Sequence, residues 1–109
     1  MSDADEWHTI IAKIKDWVVS ERLSEEDRPT PLAAMDAIRW CRAHDDEESP
    51  DVAAPSGDGC VAIELHDADI RMVEMLEFDG SGEMVRTRYE RGKVIAKSRV
   101  PIVAAGGGE

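Results

Sequence analysis

Four side chains in this sequence have the chemistry of metal ligands: Cys41, His44, Cys60 and His66. Their spacing, Cys-x2-His and then Cys-x5-His, has the outline of a tetrahedral zinc site. Cys41 and His44, at i and i+3, share one face of a helix that extends that far. Cys60 and His66 fall on one expected strand, roughly 20 Å apart at ~3.3 Å per residue, whereas zinc–ligand bonds are ~2.0–2.3 Å. One ion therefore reaches only one of that pair, and a site would combine Cys41 and His44 with Cys60 or with His66. The competing reading is a buried thiol beside a histidine that the helix C-terminal dipole favours. His66-Asp67-x-Asp69 offers a hard-cation or acid–base pair, but adjacent residues in a tight turn rarely converge, and ordinary turn chemistry accounts for them.

A second constellation is cationic. From Arg86 to Arg99 the chain carries Arg86, Arg88, Arg91, Lys93, Lys97 and Arg99 against Glu90 alone, a local +5. With Arg91-Gly92 as a two-residue hairpin turn, Glu90 faces Lys93, Tyr89 faces Val94, Thr87 faces Ala96 and Val85 faces Ser98. Arg86, Arg88, Lys97 and Arg99 then share the other face. Such a face attracts nucleic acid, yet the chain as a whole carries −11 and repels it at long range. No aromatic ring interleaves with these charges to stack a base. An acidic protein partner, or the acidic segment 45–48 of a second copy, complements the face better. A solvated face whose charges discourage edge pairing is the plain alternative.

Catalytic templates are absent. No Ser sits in a Gly-x-Ser-x-Gly elbow, and the C-terminal glycines lack the Lys-Ser/Thr and helix of a phosphate loop. Nothing in the sequence lowers a thiol pKa at Cys41 or Cys60. These absences point away from an enzyme and imply no cofactor.

The elements that must position these residues follow from periodicity. A helix is expected over about 3–19, with Trp7, Ile10, Ile11, Ile14, Trp17 and Val18 on one stripe and Ser2 as its N-cap. Thr30 caps a second helix with Pro31 at its first position. Its only charges from 32 to 43 are Asp36, Arg39 and Arg42, a narrow polar stripe that implies cover on most sides. Residues 44–59, with four consecutive acids, two prolines and two glycines, read as a linker. After it the period changes to two. Strands are expected over 61–65, 70–78, 83–90 and 93–100, with a bulge near Met75-Leu76 to align Val73, Met75 and Phe78. The tail 104–109 reads as frayed.

The 109 residues and 42% apolar content suit one small domain, placed at 1–103. No run of ~18 apolar residues marks a membrane span, and the acidic N-terminus lacks a secretory pattern. Two cysteines suit a reducing cytoplasm. Acidity is concentrated in residues 1–58, with 15 acids against 6 bases, while 59–109 hold 9 against 7.

The runs Pro50-Asp51-Val52-Ala53-Ala54-Pro55, Asp58-Gly59-Cys60-Val61-Ala62-Ile63-Glu64-Leu65 and Glu77-Phe78-Asp79-Gly80 resemble a loose group of small bacterial proteins of unknown function. That group combines a helix opening at a Pro, spaced prolines, an Asp-Gly-Gly-Val-x-Leu-Glu-Trp strand and a Glu-Phe-x-x-Asp-Gly hairpin. The resemblance covers roughly residues 29–100. Cys60 stands at the second Gly, Leu65 replaces the Trp, and the group's Gly-Trp-Asp-Gly motif is absent. The resemblance implies a helix-then-meander architecture and no activity.

The expected fold is therefore α+β: two N-terminal helices packed on one face of a four-stranded antiparallel β-meander. Its core would be Trp7, Ile11, Ile14, Val18, Leu32, Met35, Ile38, Cys41, Val61, Ile63, Leu65, Val73, Phe78, Tyr89 and Val94. The expected function is a non-catalytic protein–protein interaction or regulatory module using Arg86, Arg88, Lys97 and Arg99. A metal-binding protein or small metal-dependent enzyme using Cys41 and His44, and nucleic-acid binding through the basic hairpin face, are the alternatives. The chain would act as a monomer, or as a homodimer through the Trp7–Trp17 stripe of the first helix.

Overall fold

A computed structural model describes residues 4–45, 49–67, 69 and 71–102. Two helices, α1 (Ala4–Val19) and α2 (Pro31–Ala43), pack on one face of an antiparallel sheet. The sheet has five strands in meander order: β1 (Val52–Gly57), β2 (Cys60–Asp67), β3 (Met72–Phe78), β4 (Glu83–Glu90) and β5 (Lys93–Pro101). The expected cap Ser2, Ile70 at the start of the expected second strand, and the tail 104–109 lie outside the described residues. Among the described residues no helix is long and apolar enough to cross a membrane.

The fifth strand lies within the expected linker. Val52 to Pro55 pair with Glu64 to Val61 in unbroken register, and the chain turns through Gly57, Asp58 and Gly59, all at positive φ. Ala-Ala-Pro-Ser shows no alternation because β1 is an edge strand, where a proline costs no ladder bond and one flank is open.

α2 is oriented by its caps. Thr30 Oγ1 accepts the Ala33 N–H at 3.1 Å, and the Thr30 N–H donates to the Gly59 carbonyl at 2.9 Å. Its buried residues are Ala33, Ala34, Ala37, Trp40 and Cys41, recurring at helical spacing, together with Asp36. Small residues there let the helix lie close to the sheet, while Leu32 and Met35, expected inside, are 62% and 57% exposed. The expected cover on most sides of α2 is thus corrected to one alanine-lined face.

The core joins Trp7, Ile11 and Ile14 of α1 to Trp40, Val61, Ile63, Leu76, Phe78 and Ile102. Trp40 is its hub, with ring centroids 5.9 Å from Trp7 and 6.2 Å from Phe78, separations at which aromatic pairs attract. Val18, Ile38 and Leu65 pack against this core, partly buried. No bulge occurs at Met75-Leu76, where β3 pairs in continuous register on both sides. Leu76 and Phe78 consequently face the helices, and Val73 and Met75 the open face, with Tyr89 opposite Val73. Val94, also expected inside, is 58% exposed.

The irregularity lies one hairpin later. Glu90 pairs with Lys93 and Tyr89 with Val94 as expected, but Arg88 pairs with Ala96, leaving Ile95 as the extra residue of a bulge. One inserted residue sends every later side chain of β5 to the opposite face.

Candidate functional site

That bulge decides the geometry of the basic cluster. Arg86 pairs with Ser98 and Arg88 with Ala96, whereas Thr87 pairs with Lys97 and Val85 with Arg99. Arg86 and Arg88 therefore lie on the helix-side face and Lys97 and Arg99 on the open face. The expected four-residue basic face is split in two.

On the helix-side face Glu74 draws the two arginines together. Arg86 Nε and Arg88 Nε both donate to Glu74 Oε2, at 2.7 and 2.9 Å. Arg88 stands directly across from Glu74 and Arg86 diagonally, which is how one carboxylate reaches both. Burial pushes the Glu74 carboxyl up, but the two guanidinium hydrogen bonds and charges outweigh it and hold it below its ordinary 4.5. Two guanidiniums on one carboxylate leave a net positive charge. Beside them the small Ala96 and Ser98 leave a depression of about 220 Å³.

On the open face Arg99 is already engaged. It meets Asp79 Oδ2 and Ser81 Oγ at 3.3 Å and Glu83 Oε1 at 3.7 Å. These contacts tie the end of β5 to the β3–β4 turn.

The sheet is covered unevenly. The helices contact β1, β2 and β3, while residues 93–99 of β5 are all exposed. Past Met84, which packs against the core, β4 and β5 continue as a two-stranded wing, whose free margin carries Lys93, Val94, Ile95 and Lys97. The sequence signal for this wing was the lack of a sustained apolar alternation in β5.

The metal-like residues do not converge. Cys41 is fully buried among the core residues of α2, and desolvation pushes its thiol up to about 12 despite a backbone hydrogen bond that lowers it. His44 caps α2, stacks on Trp40 at 4.4 Å between ring centroids, and holds its Nδ1 2.8 Å from the Trp40 carbonyl. Cys60 and His66 project from the face of β2 that points away from the helices, opposite to Val61 and Ile63. The sheet thus separates them from Cys41 and His44. His66 Nε2 lies 3.0 Å from Glu64 Oε1, and its backbone N–H donates to Asp51 Oδ2 at 2.7 Å. The Asp69 N–H donates to Asp67 Oδ1 at 3.1 Å, a side-chain-stabilised turn. Among the described residues no group of three or more His, Cys, Asp or Glu converges as a metal site.

Comparison with protein-family models, curated proteins and solved structures finds no match to this chain.

Proposed function

We propose that the protein is a non-catalytic interaction module whose β4–β5 wing takes an acidic, extended segment of a partner protein. The carrying observation is β5 itself: an edge strand with seven consecutive exposed residues and no proline before Pro101. Such an edge is a template for a further strand, because its outward backbone N–H and C=O groups need partners.

Charge favours an acidic segment. Lys93 and Lys97 lie along the strand, Arg99 at its end is held by Asp79 and Glu83, and Arg86 and Arg88 stand one strand behind. Added strands lie ~4.8 Å apart, so a Glu on the helix-side face of an incoming strand extends over Ala96 and Ser98 towards the paired guanidiniums. Glu74 holds those guanidiniums in place beforehand, which lowers the ordering cost of binding. Pairing β5 with β5 of a second copy would set lysines against one another, a like-charge penalty.

The test is a titration of isotopically labelled protein with an extended peptide of alternating Glu and Val or Thr, followed residue by residue by NMR. Shifts confined to β4 and β5, lost with the Lys counterpart peptide and weakened about tenfold by Arg88→Glu or Lys97→Glu, support the reading. No shifts, or equal affinity for both peptides, overturn it. Preferential, steeply salt-dependent binding of a single-stranded oligonucleotide at the same residues also overturns it.

A further inference from the structure

We infer that the outer groove between α1 and α2 is a second, separate docking site, for an acidic amphipathic helix of a partner protein. Two adjoining depressions of about 530 and 400 Å³ share Lys15 and Arg42 as lining residues. The first has Ile11 in its floor and the second Met35 and Ile38, with Arg39 beside them. α1 and α2 run antiparallel here, since the first depression pairs Trp7 with Asp45 and the second pairs Lys15 with Met35. From Asp45 back to Met35 the groove is about 15 Å long at ~1.5 Å per residue, the length of roughly three helical turns.

Shape and charge select the occupant. A cleft between two packed helices accepts the ridge of a third, with apolar anchors spaced at helical intervals. Met35 at 57% exposure supplies an adaptable apolar contact. The rim is cationic in a chain whose net charge is −11. Among the described residues, Arg39 meets the buried Asp36 at 3.9 Å, whereas no acid lies within 4 Å of Lys15 or Arg42. Asp45 closes one end of the groove, so among the described residues that line it three cations face one acid. A helix with Leu or Phe on one stripe and Glu beside it places its anchors over Met35 and Ile38 and its carboxylates against Lys15, Arg39 and Arg42.

The site shares no residue with the β4–β5 wing, so each stands or falls alone. The experiment uses two fluorescent model helices on the full chain, one with a Leu/Phe stripe flanked by Glu, the other with Lys at every Glu. The expected result is saturable binding of the acidic helix, weakened about tenfold or more by Arg42→Glu and by Met35→Ser. Lys97→Glu should leave this binding unchanged. Both groove positions are solvent-exposed, and circular dichroism checks that the variants stay folded. Failure of the acidic helix to bind, equal binding of the Lys helix, or indifference to both groove variants overturns the inference. Sedimentation supplies the remaining outcome: a dimer that Arg42→Glu dissociates would make a second copy the occupant and overturn it as well.

Discussion

The Asp36 carboxylate, on the second turn of α2, accepts the Gly82 N–H at 2.8 Å through Oδ2. The two residues are 46 apart in sequence. Together with the Thr30–Gly59 bond at the helix N-terminus, it ties α2 to two separate hairpin turns. Removing the carboxylate leaves a turn N–H without its acceptor, a loss of about 1–3 kcal/mol. Asp36→Ala should lower the urea midpoint accordingly, and Asp36→Asn, which keeps an acceptor oxygen, should recover most of it. An Asp36→Ala midpoint equal to wild type would remove this clamp from the account.

Gly80 shares that junction. It sits at φ +90, and a Cβ there would lie 2.9 Å from Leu32 Cβ and 3.0 Å from the Ala33 backbone nitrogen. Gly92 has a similar φ of +84 with nothing within 4 Å. Gly92→Ala should therefore cost only the left-handed backbone strain, about 1–2 kcal/mol. Gly80→Ala adds a clash with the helix backbone and should cost at least about 1 kcal/mol more. Paired denaturation curves measure the difference, and equal losses would contradict the close approach.

The two thiols differ in access. Cys41 is fully buried and Cys60 partly exposed, so a thiol reagent should label Cys60 in the native protein and Cys41 only on unfolding. Desolvation, then the charges of Asp79, Glu77 and Asp58, pushes the Cys60 thiol up. Its labelling should be slow at neutral pH and accelerate as pH rises. Mass spectrometry after timed quenching reads both sites.

Cys41 also carries a pH dependence. Its folded value of about 12 lies above the ordinary 9.0, so the neutral thiol's contribution is complete below 9.0. As pH rises beyond that, the unfolded state ionises and the contribution is lost, at up to ~1.4 kcal/mol per pH unit. Cys41→Ala should be less stable at neutral pH but show a flatter alkaline limb than wild type. Parallel limbs would argue against this desolvation.

Glu74 works in the opposite sense. Held below 4.5 when folded, it adds stability above that pH which is lost as pH falls through the depressed value. Glu74→Gln should shallow the acid limb by a modest amount, on the order of 1 kcal/mol or less, because both guanidiniums reach solvent. An unchanged acid limb would mean that the triad does not persist in solution.

The amino-acid sequence alone determined both helices, the cap Thr30-Pro31, three of the strands closely and the Arg91-Gly92 turn, because each is a local matter of period, capping or backbone preference. Trp7, Ile11, Ile14, Val61 and Ile63 were likewise legible as core, since they sit on unbroken apolar periods, whereas Phe78 was placed there through a bulge that does not form and is buried with Leu76 instead. The fifth strand was not, because β1 is defined by pairing with β2 and its own residues have little strand character. The faces of β5 were not either: a bulge at Ile95 depends on how the ladder closes, and a shift of one residue inverts a face. α2 turned out to bury alanines and expose Leu32 and Met35, because the close approach of helix to sheet rewards small side chains over large ones. Only the packed structure could set Glu74 between Arg86 and Arg88, leave the β4–β5 wing beyond the helices, and open a cationic groove on their outer side.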